Sequence, residues 1–453
     1  MVRDSISLYA IRTDECIAVL FPSVLCFLIC LLSIYTVDKI IMQAVINTYK
    51  THVKSGFYPL PIAISRAKNA TLWDVDGKEY IDFLTMFAVA NMGHAHPRIV
   101  EACCKAIHEC PLVNTALMSP SYAELAVKIN DVFGYSRTVC LLAGADATEA
   151  AAKIARKWAH IKRGIKTNEA FILTTTACYH GLNSINNDNS GPVVSLLGAK
   201  SPSGVTVEYG DLQSLEEALK RDHATIAAFM VEPIQGSAGI VDPPRGYISG
   251  AYNLCKRYNV LFIADEVQTG MGRAGSLLKS FDDNIRPDLV CLGKGLGGGV
   301  AAIAAVIGSE EIMDILQYGD IGSTMAATPP ATAAACAALD VLVEENICQM
   351  SREKGELLKS LLLEEGLDEI VHVSGDGVLR AAVLNPDLLD DKFNGARIVE
   401  LCAVHGLIVS SSAKGSRIRL CPPPTIEESQ LRKGIKIFAK CVREVKDVKD
   451  PIL

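Results

Sequence analysis

Leu261–Lys294 reads LFIADEVQTGMGRAGSLLKSFDDNIRPDLVCLGK. Two short apolar runs in it each end in polar residues: Leu261-Phe-Ile-Ala before Asp265-Glu266, and Leu289-Val-Cys-Leu before Gly293-Lys294. Short apolar runs bounded by turn residues predict buried strands of a parallel sheet. A carboxylate ending one strand and a lysine following another, both in glycine-rich surroundings, point to a site at the carboxyl edge of that sheet. Taken singly, a lysine after a strand is ordinarily a solvated strand end and an Asp-Glu pair a turn. Together they suit pyridoxal phosphate chemistry, in which a lysine amine forms the Schiff base and a carboxylate keeps the pyridine nitrogen protonated.

Outward from this stretch, Thr138–Ala143, Phe171–Thr175 and Ala227–Glu232 are further strand candidates, with helical patterns such as Ala147–His160 between them. That alternation predicts an α/β domain with a mostly parallel sheet. Pro329-Pro330 opens a helical stretch to about Glu365, after which strands such as Val378–Leu384 mix with helices such as Ala396–His405. This reads as a smaller carboxyl-terminal α+β domain. Upstream, Tyr58–Leu84 combines prolines with alternating apolar residues, an extended arm followed by a hairpin with Asp76-Gly77 at its turn. The expected division is an apolar segment at 1–45, the arm and hairpin at 46–96, a large domain at 97–345 and a small one at 346–453.

The 453 residues carry a net charge of -7, which gives no reason to expect a nucleic-acid partner. Fifteen cysteines without a CxxC pair read as reduced core thiols of a cytoplasmic enzyme, not as a disulfide framework. His94 and His96 form an H-x-H pair with no third candidate ligand, so no metal is expected. From Cys16 to Val37 no residue is charged, and as a helix this run is long enough to cross a hydrocarbon layer of roughly 30 Å. A membrane anchor, a secretory signal and a wrongly joined first exon all remain open. Asp4, Asp14 and Glu15 fit a mitochondrial presequence poorly.

An anion site is expected where a glycine turn opens a helix, because backbone N–H groups and the helix dipole favour phosphate there. Ala143-Gly144-Ala145-Asp146-Ala147-Thr148-Glu149 meets that requirement. With this segment, the Leu292-Gly293-Lys294-Gly295-Leu296-Gly297-Gly298-Gly299 run and WDVDGKEYIDF at Trp73–Phe83, the chain resembles the class III (subgroup II) aminotransferases. Within that family it is most similar to the ornithine aminotransferase branch, from about Phe57 to about Val445.

The resemblance implies the fold type I architecture of pyridoxal-phosphate enzymes, pyridoxal 5'-phosphate as cofactor, and a homodimer. It makes Lys294 the Schiff-base lysine, Asp265 the partner of the pyridinium nitrogen and Gln268 the residue at the ring hydroxyl. Gly144 and Ala145 bind phosphate, and Thr324, in Gly322-Ser323-Thr324, reaches the phosphate of the neighbouring subunit. Tyr179 stacks on the ring, Glu232 lies near the cofactor, and Arg419 grips the substrate carboxylate, with Arg417 as its competitor on the same strand face. A planar guanidinium suits that bidentate task.

The substrate end departs from the family. Phe57 and Phe87 stand where it has tyrosines, Ser237 where a glutamate masks the carboxylate-binding arginine, Leu182 where an arginine follows the aromatic-x-Gly turn, and Thr328-Pro329-Pro330 replaces a more typical Asn-Pro. The expectation is transamination of an amino acid or terminal amine, with 2-oxoglutarate and glutamate as second pair; ornithine delta-transamination stays open, and the altered residues point toward a different donor. An aminomutase, a racemase or a noncatalytic binding protein on the same fold are the alternatives.

Overall fold

A computed structural model of the chain describes residues 41–54, 60–181, 197–412 and 415–453. The apolar run at 16–37, Phe57 and Leu182 lie outside the described residues. The chain divides into two units, one of residues 1–63 with 74–77, the other of residues 64–73 with 78–453. In the first, residues 41–52 are helical. Ala63 donates its N–H to Met42 Sδ at 3.3 Å, and Val75 donates to the Ala63 carbonyl at 2.9 Å. The hairpin tip closes through Gly77 N–H on the Asp74 carbonyl at 3.1 Å, with Gly77 at a φ of 83° that favours glycine.

The second unit is built on a seven-stranded sheet. Its strands lie in the order Arg137–Leu141, Ala304–Gly308, Leu289–Leu292, Leu261–Asp265, Ile226–Val231, Phe171–Leu173 and Leu197–Gly198. All run the same way except Ala304–Gly308, which is antiparallel to both neighbours. Every residue of Ile226–Val231, Leu261–Asp265 and Leu289–Leu292 is buried, as expected of strands covered on both faces. Their alternate side chains feed two separate cores. Phe229, Phe262, Ala264, Val290 and Leu292 enter one; Met230, Leu261, Ile263, Leu289 and Cys291 enter the other. Each fully buried Leu, Ile or Phe contributes about 1.5–3 kcal/mol.

The helix Gly144–Arg163 covers the second face with Ala147, Ala151, Ile154, Ala155 and Trp158. Its alanine-rich flank is small enough to lie close against the strands. Pro97–Glu109, Pro120–Phe133 and Pro329–Glu344 contribute to the other core through residues such as Ile99, Leu125 and Leu339. The helical stretch expected from Pro329 to about Glu365 is two helices, Pro329–Glu344 and Ile347–Glu364, parted where Asn346 turns left-handed at φ 54°.

Parallel registry pairs Val231 with Ala264 and Asp265 with Cys291, so the carboxyl ends of three adjacent strands lie side by side. Beyond them, Ile370–Asp376, Leu379–Leu384, Arg417–Leu420 and Ser410–Ser411 form an antiparallel sheet, accompanied by the helices Gly395–Val404 and Glu428–Glu444. A third sheet adds Leu407–Ile408 to the strand Glu79–Asp82. Among the described residues no helix is long and apolar enough to cross a membrane.

Candidate active site

The strand Leu261–Asp265 delivers Asp265, 5% exposed, to the sheet edge, and Ile226–Val231 delivers Glu232 beside it. Leu289–Leu292 passes through extended Gly293 into Lys294, whose φ of 42° starts a tight 3₁₀ turn to Gly297. Together with Gly144, Ala145, Tyr179 and Gln268, these three residues line one cavity of about 250 Å³. Seven positions named from sequence thus converge on a single space.

Lys294 Nζ has no hydrogen-bond acceptor among the described residues. Burial pushes its pKa down; Asp265 and Glu232 oppose that shift, while Arg419 and Arg273 add to it. A depressed amine is one that can act as nucleophile and base.

His180 donates through Nδ1 to Asp265 Oδ2 at 2.7 Å, and the Val267 N–H donates to Oδ1 at 3.1 Å. Burial disfavours the imidazolium, yet Cys178 and Asp265 together hold the His180 pKa well above its ordinary 6.5. Glu232 serves as a tie: Oε1 accepts the Tyr179 N–H at 2.9 Å and Oε2 the Gly236 N–H at 3.0 Å. Burial raises its pKa to about 7, with His180 pulling it down and Asp265 pushing it up.

The turn before the helix Gly144–Arg163 is compact because side chains are missing where segments meet. A Cβ at Gly144 would lie 2.6 Å from Val267 Cγ1; one at Gly181, where φ is 102°, would lie 2.5 Å from Ala145 Cβ. Asp146 Oδ2 accepts the Ala143 N–H at 2.9 Å and braces the first turn. Tyr179 is half-buried at the cavity wall, and its hydroxyl pKa is raised by burial, Glu232 and Asp265. Gln268 donates through Nε2 to the Phe87 carbonyl at 3.2 Å.

Arg419, on Arg417–Leu420, donates to the carbonyls of Gly236 at 3.3 Å, Ser411 at 2.8 Å and Ser237 at 2.7 Å. Burial lowers its pKa, against Cys421 and Glu232. All three of these acceptors are backbone oxygens, and Ser237 meets it through the carbonyl, the residue itself being exposed. Arg417 turns instead to the Ile240 carbonyl and Ser374 Oγ, both at 3.3 Å. Phe87 touches the site through its carbonyl and is 39% exposed. Thr324 is exposed and outside the cavity.

His94 Nε2 lies 2.7 Å from Asp82 Oδ2, and His96 Nε2 lies 3.4 Å from Glu345. Both histidines therefore have carboxylate partners. Among the described residues no cluster of three metal-ligating side chains occurs. Sequence reasoning passed over two buried residues, His180 and Arg273. His180 is the middle residue of the aromatic-x-Gly turn Tyr179-His180-Gly181, and Arg273 sits between glycines inside Leu261–Lys294; neither position reveals its burial.

The donor set fits a phosphorylated pyridine aldehyde. It offers an amine for the aldehyde carbon, a carboxylate for the ring nitrogen, an amide for a ring oxygen and a glycine-opened helix start for the phosphate.

Comparisons with known proteins agree with that chemistry. The sequence model for class-III aminotransferases matches residues 53–442. The ornithine aminotransferase of Schizosaccharomyces pombe is 36% identical over 411 residues, covering 88% of this chain and 92% of that protein. Among solved structures, the ornithine aminotransferase of Toxoplasma gondii superposes with a TM-score of 0.83 at 32% identity, covering 90% of this chain and 96% of that one. The acetylornithine aminotransferase of Elizabethkingia anophelis follows with a TM-score of 0.78 at 34% identity, covering 89% and 99%.

Proposed function

This chain belongs to the class-III aminotransferases and is a pyridoxal-phosphate-dependent transaminase, and on that premise we propose roles for its residues, a substrate class and an assembly. When bound, pyridoxal phosphate supplies the electron sink that lets a proton leave the carbon bearing the donor's amine. The chain's residues do the rest. Lys294 Nζ would anchor the cofactor and, once freed by the donor amine, would carry the proton from that carbon to the carbon that had been the cofactor's aldehyde. Its pKa, lowered by burial, supports the role.

Asp265 would receive the ring N–H, and His180 fixes the carboxylate's orientation through the 2.7 Å bond to Oδ2. Gln268 would meet the ring oxygen, Tyr179 would cover the ring face, and the Gly144 and Ala145 N–H groups would take the phosphate. Glu232 locks the Tyr179 loop to the Gly236 loop. Thr324, exposed on a single chain, is read as reaching the phosphate of a second copy, so the working unit is a homodimer. We read 97–345 as the cofactor domain, 346–453 as the small domain, 46–96 as arm and hairpin, and 16–37 as a membrane-associating segment of an otherwise cytoplasmic protein. Deletion of residues 1–45 should release the protein from a membrane pellet.

Arg419 binds the substrate carboxylate. The carbonyls around it are weaker partners than a carboxylate, so a substrate can displace them in both half-reactions. Phenylalanine at 57 and 87 where the family has tyrosines, and serine at 237 where it has a glutamate, give the sequence fewer polar groups for the donor, which favours a less polar donor than ornithine, with 2-oxoglutarate and glutamate as the second pair. The observation that carries this reading is the convergence of Lys294 and Asp265 on one cavity with the Gly144 helix start. The test is a screen of amino donors against the holoenzyme, following the change in cofactor absorbance. Rapid formation of glutamate semialdehyde from ornithine would refute the altered donor.

A further inference from the structure

Thr85, Met86, Phe87 and Ala88 have φ values of 45°, 52°, 61° and 66°, four left-handed residues in succession with no glycine among them. Each carries the crowding of Cβ against the following carbonyl that makes left-handed helix rare in L-residues. Such a turn persists only where its surroundings over-determine it.

They do. Asp82 Oδ1 accepts the N–H groups of Leu84 and Thr85, both at 2.8 Å, while Oδ2 meets His94. The Thr85 hydroxyl donates to the Cys421 carbonyl at 2.9 Å and accepts from Arg273 Nη2 at 3.2 Å. Asp82, Thr85 and Arg273 are each 0% exposed. Arg273 has further acceptors in Asn91 Oδ1 at 2.9 Å and the carbonyls of Pro422 at 2.6 Å and Cys421 at 3.5 Å. A buried guanidinium serving a hydroxyl, an amide and two backbone carbonyls is an expensive arrangement, and it is concentrated on this turn.

The turn offers one group to a residue that lines the cavity. The Phe87 carbonyl can only accept, so it draws the Nε2 end of Gln268. The opposite end of that amide is confined by Gly236, where a Cβ would fall 1.3 Å from Gln268 Oε1. The same guanidinium steadies the other wall. Asn91, held by Arg273, packs so closely on the residue after Lys294 that a Cβ at Gly295 would lie 2.5 Å from Asn91 Nδ2.

We propose that the left-handed turn Thr85–Ala88, held by Thr85 and Arg273, is a positioning device that fixes the Gln268 amide for the cofactor ring. The inference rests on the reading of Gln268 given above. Thr85→Val keeps the shape of the side chain and removes the hydroxyl; Thr85→Ser restores it. In holoenzyme, Thr85→Val should shift the visible cofactor band and weaken cofactor binding or kcat/KM by about tenfold or more, since a hydrogen bond to a charged group is lost. Thr85→Ser should stay near wild type in all three.

Met86→Gly is the second variant, chosen because Met86 is 41% exposed and relieving its left-handed φ removes crowding without touching the buried bonds. It should leave the melting temperature at or above that of the wild type, yet shift the band as Thr85→Val does, because a slack turn no longer fixes the Phe87 carbonyl. Folded Thr85→Val and Met86→Gly proteins with wild-type spectra and kinetics would overturn the inference alone. So would a Met86→Gly protein that melts several degrees lower. Wild-type protein that takes up no cofactor would overturn the reading of the cavity, and this inference with it.

Discussion

Gly181→Ala tests the proposed cofactor cradle where Gly181 meets Ala145. At φ 102° an L-residue is strained, which adds roughly 1–2 kcal/mol. The new Cβ would also lie 2.5 Å from Ala145 Cβ and 2.8 Å from Ala145 Cα, so the loop or the helix start must move, an overpacking worth about 1–3 kcal/mol. The sum is about 2–5 kcal/mol. If the Gly144–Ala145 turn absorbs it, pyridoxal phosphate affinity falls roughly 30- to 4,000-fold, at about 1.4 kcal/mol per tenfold. The assay is titration of apoprotein followed by absorbance, with thermal melts at zero and saturating cofactor. The rise in melting temperature on adding cofactor should shrink or vanish in the variant. Gly164→Ala is the control, because Gly164 has φ 71° but nothing within 4 Å of an added Cβ. It should lose stability to backbone strain alone and bind cofactor normally. Wild-type cofactor affinity in Gly181→Ala, or equal harm from Gly164→Ala, would refute the reasoning.

Further outcomes follow from the charges around the cavity. Glu232 holds its proton up to about pH 7 when folded against an ordinary 4.5. Between those values the folded state binds the proton that the unfolded state has released, so stability should fall as pH rises, by at most about 3 kcal/mol. In urea denaturation across that range, Glu232→Gln should flatten the slope. His180 has the opposite charge type: its pKa is raised on folding, so the stability it contributes is fully present below about 6.5 and lost as pH rises through the folded value. Melting curves of His180→Gln from neutral to alkaline pH should lack that decline. Ser237→Glu would place a carboxylate where Arg419 now meets a carbonyl at 2.7 Å. The KM for the 2-oxo acid should rise about tenfold or more in steady-state assays, a charged hydrogen bond being worth about 1.5–3 kcal/mol.

The central strands were readable because they carry their information locally. Leu261–Ala264 and Leu289–Leu292 are continuous apolar runs, and the residues after them, Asp265 and Gly293-Lys294, are of a type that suits no core. Ala304–Gly308 is different. Its sequence, AAVIG, follows further alanines and has no alternation, so it is indistinguishable from a helix until the sheet provides two antiparallel neighbours. The break at Asn346 is one left-handed residue in a long helical pattern, below the resolution of periodicity.

Within the site, residues bound to a turn motif were legible and residues that act through space were not. Gly144, Lys294 and Tyr179 belong to local motifs. His180 matters because Asp265 comes to it from 85 residues away in the chain, and Arg273 because Thr85 and Cys421 converge on it. The turn Thr85–Ala88 has neither glycine nor asparagine to announce a left-handed backbone. Its conformation is imposed from outside by Asp82 and Arg273, which no local pattern encodes.

Lys294 is the proposed attachment point of the cofactor, and a chemical label can test it directly. Holoenzyme treated with borohydride, digested and analysed by mass spectrometry should carry the reduced pyridoxyl phosphate group on the peptide containing Lys294. Lys294→Ala should give no such adduct while still folding. A label on another lysine, or no label on wild-type protein saturated with pyridoxal phosphate, would contradict it.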